Sequence, residues 1–261
     1  MKRTEICPNL DHFPPELRSL VEVSRVYDSS SSKAARVYRL EGRENYYLKT
    51  AAAGTLATEA AMTDYFWRKG LGAEVAGYLT DEKDWLLTRE LPGEDCLDAR
   101  YMENPRRMCD TLANLLRQLH ETPFPECPVP DRCETYRRKA RENYRAGIYD
   151  EKLFPGKWGF SSREEAWCLV RENGENLHPE VLLHGDYCLP NVILNRWDFS
   201  GFIDLDCAGV GDRHIDLFWG VWTLFYNLKT NAYYDRFLDV YGRELIEPEL
   251  LRTVAAFEVF G

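Results

Sequence analysis

The chain has 261 residues, 44% of them hydrophobic and 13% aromatic, which suffices for one large domain or two lobes and excludes a disordered chain. Its 33 Lys and Arg against 43 Asp and Glu give a formal charge of -10, the wrong sign for a nucleic-acid backbone, so no nucleic acid is expected as a partner. That charge suits a cationic partner, although solubility alone also accounts for it. No apolar run follows the basic start Met1-Lys2-Arg3, and none is long enough to span a bilayer, so no membrane partner and a cytoplasmic location are expected. The eight cysteines form no C-x-x-C pair and read as reduced thiols.

In chain order, residues 36–41 and 45–50 are short, aromatic and β-branched, with Gly42 in the turn between them, and predict a hairpin. Residues 55–69 predict a helix ending at Gly70, and 75–80 and 84–90 predict two more strands. Leu91-Pro92-Gly93 breaks the pattern, so a first lobe over 1–91 and a second over 92–261 are expected. Leu112, Leu115, Leu116 and Leu119 then mark the apolar face of a helix. Further helices are predicted near 132–146, 162–173, 213–228, 231–241 and 248–260, with short strands at 180–184, 191–195 and 199–205.

The chemistry concentrates in His184-Gly185-Asp186, Asn191 and Ile203-Asp204. The three polar groups sit at the ends of predicted apolar strands, so they can converge on one point. Phosphoryl transfer needs such a set, because the protein must mainly hold an acceptor hydroxyl in line and neutralise phosphate charge. Asp186 can accept or orient the hydroxyl proton, and the oxygens of Asn191 and Asp204 suit Mg²⁺.

These residues resemble the catalytic and metal motifs of the aminoglycoside phosphotransferases. The runs 188–191, 200–204 and 209–213, with Asp216, are especially similar to the 3'-phosphotransferases. The resemblance is strong over 181–216 and looser from about residue 20 to the C-terminus. It implies an α+β, bilobal protein-kinase-like fold, with a β-rich N-terminal lobe and a mainly helical C-terminal lobe. It also implies a small-molecule kinase using ATP (or GTP) and Mg²⁺.

The resemblance makes Asp186 the catalytic base and Asn191 and Asp204 the metal ligands. Lys49 becomes the phosphate-binding lysine and Glu59 its partner. Ser31 and Ser32 would lie in the nucleotide-covering loop, Tyr47 would stack on adenine, and Arg89 to Leu91 would form the hinge. His184 and Asp216 would hold the catalytic loop by hydrogen bonds. No G-x-G-x-x-G is present, unlike an ordinary protein kinase.

On the acceptor side, Glu258 retains one acid of the family's C-terminal pair, and Asp206 adds a carboxylate that could bind metal or acceptor or face solvent. Tyr226 stands where the family has an acid, and Trp222 lies on the same aromatic helix. The expected reaction is transfer of a γ-phosphate to a hydroxyl of a cationic aminoglycoside, the 3'-hydroxyl favoured, by a monomer or weak dimer. The alternatives are a kinase of the same fold acting on another hydroxylated metabolite or antibiotic, and a nucleotide-binding pseudokinase.

Overall fold

The computed structural model describes residues 3–31, 34–153 and 159–261. The chain is bilobal and α+β. It divides into two compact units, one of residues 1–97 with 190–206, the other of 98–189 with 207–261.

The first unit is built on a six-stranded antiparallel sheet in the order β1-β2-β3-β4-β6-β5. Its strands are β1 (Thr4–Ile6), β2 (Arg25–Asp28), β3 (Arg36–Glu41), β4 (Tyr46–Ala52), β5 (Val75–Thr80) and β6 (Lys83–Arg89). Side chains alternate across a strand, so the two faces of β4 have different neighbours. Leu48 pairs with Leu87, and both join Leu40, Tyr38 and Trp85 against Leu17 and Val21 of α1 (Pro15–Glu22). On the other face, Lys49 pairs with Leu86, which packs against Leu56 and Ala60 at the start of α2 (Ala57–Arg68). Pattern alone therefore turns Lys49 toward α2.

The start of α2 is fixed from the sheet. No side chain of Leu56 caps it; instead Asp84 of β6, fully buried, accepts the Leu56 N–H at 2.8 Å and the Thr80 hydroxyl at 2.6 Å. Burial alone would raise the pKa of Asp84. The hydrogen bonds from Thr80 and from the Gly54 and Leu56 backbone outweigh it and hold the value at about 2.

A three-stranded sheet, β10-β9-β7, completes this unit from β7 (Glu94–Asp95), β9 (Val192–Asn195) and β10 (Asp198–Phe202). The expected break at Leu91 lies before β7, whose pairing with β9 carries the first unit on to Leu97 and takes in 190–206. Gly93 precedes β7 with φ +111°, and a Cβ there would lie 2.1 Å from the Leu194 carbonyl oxygen. Only glycine meets both conditions.

The second unit holds α3 (Ala99–Met102), α4 (Pro105–Glu121), α5 (Arg132–Ala146), α6 (Arg163–Asn173), α7 (Arg213–Leu228), α8 (Tyr234–Tyr241) and α9 (Pro248–Glu258). A two-stranded ribbon joins β8 (Val181–Leu183) to β11 (Gly209–Gly211). The leucines of α4 at 112, 115, 116 and 119 are all buried, and α4 packs on β8, α7 and α8. Among the described residues no helix is long and apolar enough to cross a membrane, and none of the eight cysteines forms a disulfide.

One expectation needs correction. The strand expected over 199–205 ends at Phe202, so Asp204 lies in the connection beyond it, with φ +61°. The first unit also contains α1, whose Leu17 and Val21 cover the sheet face that α2 does not.

Gly93→Ala is expected to destabilise the protein by about 2–4 kcal/mol, because a left-handed residue gains a backbone overlap. Gly77→Ala, with nothing within 4 Å of the added Cβ, serves as the neutral control. Equal denaturant midpoints for the two variants would remove the close-approach argument.

Candidate active site

In the first unit three charged groups meet. The Lys49 ammonium lies 2.7 Å from Glu59 Oε2 and 2.7 Å from Asp204 Oδ1. Glu59 stands in the first turn of α2 and is buried, so the helix start fixed by Asp84 also fixes this carboxylate. Burial works against the Lys49 charge, but Asp204 and Glu59 outweigh it and hold its pKa above the ordinary lysine value. Asp206, exposed two residues after Asp204, lies close enough to act electrostatically on Glu59.

Asn191 stands immediately before β9, at the end of a short 3₁₀ turn, and is buried. Val192 pairs with Phe202 in the β9–β10 register, and just beyond that pair the Ile203 N–H donates to the Asn191 carbonyl at 3.1 Å. The pairing thus carries Asn191 alongside the residue that precedes Asp204. An amide oxygen and a carboxylate are the hard donors that Mg²⁺ accepts together with phosphate oxygens and water. Asp204 already has a cation, the Lys49 ammonium, against its carboxylate, which fits a cation-binding role. Among the described residues no group of three or more His, Cys, Asp and Glu is arranged as a metal cage.

Tyr47 shares the β4 face of Lys49, two residues away. Its hydroxyl accepts from Arg3 at 3.0 Å. Ser31 is exposed between β2 and β3, and Ser32 lies outside the described residues. Beyond β6, the Arg89 N–H is bonded to the Glu74 carbonyl and the Glu90 N–H to the Asn45 carbonyl, both at 2.9 Å. The Arg89 side chain pairs with Glu74 and Glu44 at the surface, and Leu91 packs where Gly201 leaves room for it.

The second unit holds Asp186. β8 ends at Leu183, just before His184, and Asp216 of α7, fully buried, accepts the His184 and Gly185 N–H groups, each at 2.7 Å. His120 Nε2 lies 3.2 Å from the same carboxylate, and its Nδ1 is 2.8 Å from the Tyr241 hydroxyl. Burial lowers the His120 pKa despite Asp216, so the ring is neutral and donates one N–H. The Asp186 N–H donates to His184 Nδ1 at 3.3 Å, and Asp186 accepts the Cys188 N–H on its carbonyl at 2.7 Å. Gly185 takes φ +82°, where a Cβ would lie 2.0 Å from the Cys207 carbonyl oxygen. The Asp186 turn is therefore held by Asp216, His184 and the missing Cβ of Gly185.

Glu258, near the end of α9, is 9% exposed. Its Oε1 accepts from the Tyr136 hydroxyl at 2.6 Å and from Trp219 Nε1 at 3.2 Å. Burial raises its pKa to about 7; Tyr136, Lys139 and Trp219 oppose the shift, and the Asp186 carboxylate adds to it. Trp222 and Tyr226 stack on α7, and Tyr226 is 52% exposed. Glu258 and Asp186 thus lie within electrostatic reach, and Trp219 links Glu258 to the α7 aromatics. Tyr136 and Asp84 escape sequence reasoning, since neither stands in a motif and their partners are 122 and 28 residues away.

Comparison with known proteins agrees with this architecture. Residues 28–256 match the Phosphotransferase enzyme family. A probable aminoglycoside 3'-phosphotransferase of Lactococcus lactis is 47% identical over 259 residues, 98% of each chain. The streptomycin 3''-kinase of Streptomyces griseus is 28% identical over 72% of this chain and 73% of its own. The crystal structure of an aminoglycoside-3'-phosphotransferase of type VIII superposes with a TM-score of 0.73 at 24% identity, over 96% of each chain. Aminoglycoside phosphotransferase APH(3'')-Id of Streptomyces rimosus gives 0.74 at 21% identity, over 97% of this chain and 98% of its own. With its β-rich and helical units, its Lys49–Glu59 pair and its buttressed Asp186 turn, the chain belongs to the aminoglycoside phosphotransferase family of kinase-type phosphotransferases.

Proposed function

We propose that the chain transfers the γ-phosphate of ATP (or GTP) to a hydroxyl of an aminoglycoside, the 3'-hydroxyl favoured. The observation that carries this reading is the Lys49 ammonium held by Glu59 and Asp204. A lysine pinned by a buried glutamate is a fixed cation for phosphate oxygens. Asn191 and Asp204 would hold Mg²⁺, which supplies charge neutralisation on the phosphates when bound. Tyr47, Ser31 and Ser32, and the backbone from Arg89 to Leu91, would take the base and phosphates of the nucleotide.

Asp186, five residues before Asn191 in the chain, would orient the acceptor hydroxyl and take its proton. Its turn is held by Asp216 and His184, so little reorganisation is needed when the hydroxyl arrives. Glu258 would meet an ammonium of the acceptor, and Asp206 is assigned here to the metal side because of its influence on Glu59. The relatives' names support the aminoglycoside acceptor and the 3' position.

An ATP-consumption assay across an aminoglycoside panel, with phosphorus NMR of the product, tests the reading. Phosphate on a 3'-hydroxyl is the expected result; no turnover with any aminoglycoside would sink it.

Asp186→Ala is expected to lower turnover by about 10²–10⁴-fold while Mg-ATP still binds. Asp204→Ala should instead lose metal-dependent nucleotide affinity in calorimetry. Identical behaviour of the two variants would refute the division of roles.

Glu258 gives a pH prediction. Its raised pKa means it is neutral below about 7 and anionic above. The groups facing it are Tyr136 and Lys139 of α5, Trp219 of α7 and Asp186. A cationic acceptor prefers the anion, so acceptor KM should fall as pH rises through about 7, and this dependence should vanish in Glu258→Gln. The same pH slope in both proteins would contradict the assignment.

A further inference from the structure

Trp219, Trp222 and Tyr226 follow one another on α7 at spacings of three and four residues, so they share one helix face. Trp219 and Trp222 meet edge to face, with ring centroids 5.3 Å apart at 80°. Trp222 and Tyr226 stack at 4.8 Å and 9°. This ladder is not core. The neighbouring Phe218 is fully buried, whereas both indoles are partly exposed and Tyr226 is 52% exposed.

The inner end of the ladder is polar. Trp219 Nε1 donates to Glu258, whose carboxylate also takes the Tyr136 hydroxyl and feels the Asp186 charge. Among the described residues Glu258 Oε2 has no hydrogen-bond donor, since both donors fall on Oε1. The outer end already receives an ammonium, for Lys229 Nζ stands 4.2 Å from the Tyr226 ring centroid. One surface thus offers a carboxylate, aromatic faces that accept cations, and the reacting aspartate's neighbourhood.

We propose that the Trp219–Trp222–Tyr226 ladder is a specificity-determining surface that takes an amino-hexose ring of the acceptor by its C–H face. The ring's ammonium is shared between the aromatic faces and Glu258. The inference rests on the aminoglycoside reading above and deepens it. Sugar C–H bonds pack on aromatic faces through dispersion, and an ammonium beside them gains cation–π attraction. Such a surface needs few acceptor charges, unlike a pocket lined with carboxylates. It therefore selects glycosides by ring shape and one well-placed amine, and its affinity is less sensitive to salt.

The test uses the full chain with kanamycin as probe, and reads acceptor and nucleotide KM together with tryptophan fluorescence. Trp222→Leu is expected to raise the acceptor KM about tenfold, the loss of one well-packed aromatic contact, with a nucleotide KM within about twofold of wild type. Trp222→Phe keeps a flat ring and should recover most of the acceptor affinity, while losing most of the fluorescence change on acceptor binding. Trp67→Leu, at an exposed position on α2, should alter neither constant. Tyr226→Ala, at an exposed ring, keeps the test available if Trp222→Leu fails to fold, and should raise the acceptor KM about threefold or more. Transfer to kanamycin with an unchanged acceptor KM in Trp222→Leu or, should that variant not fold, in Tyr226→Ala overturns the ladder alone. Absence of transfer from the wild type to any aminoglycoside overturns both readings.

Discussion

A carboxylate buried completely inside a helical unit is an expensive object unless both of its oxygens are hydrogen-bonded. Asp216 meets that condition by accepting two consecutive backbone N–H groups and one imidazole N–H. The consequence reaches the chemistry. Those two N–H groups belong to the residues directly before Asp186, so the proposed base stands on a turn whose backbone is anchored to α7. His120, held neutral by burial and oriented by Tyr241, supplies the third hydrogen bond to this anchor.

The first unit solves a different electrostatic problem by a similar route. Sheet alternation turns Lys49 toward α2, and Asp84 holds the first turn of that helix from β6. Glu59 then lies where the ammonium needs it. Asp204 completes the set from a backbone of positive φ, a conformation that costs a non-glycine residue about 1–3 kcal/mol and is kept where surrounding structure over-determines it. Charge on Lys49 is thus stabilised before any phosphate arrives, and a bound metal would compete with it for Asp204.

Much of this was legible in the residue order. The hairpin carrying Lys49, the helix carrying Glu59, the apolar face of α4 and the His184-Gly185-Asp186 turn follow from period and motif, because each depends on neighbours within about one turn or one strand. The roles of Tyr136 and Asp84 do not, because each depends on long-range hydrogen bonding with no local signature. The end of β10 is not set by propensity: Phe199 to Leu205 is apolar enough to continue, yet β10 stops at Phe202 and the backbone takes φ +61° at Asp204. The aromatics of α7 could be named from sequence, but whether they were core or surface depended on which neighbours the fold supplied. The structure buries Phe218 and leaves Tyr226 in the open.

The discontinuity of the first unit bears on how the chain is made. β7 has two residues and pairs only with β9, which emerges about a hundred positions later. A ribosome that has released residues 1–97 has therefore supplied all six strands of the large sheet but only β7 of the three-stranded one. Completion waits until residue 206 is available, after the whole of 98–189 has been synthesised. The half of the molecule that carries Lys49 is thus first in sequence and late to finish, and a fragment cut after residue 97 would keep the lysine and lose Asp204.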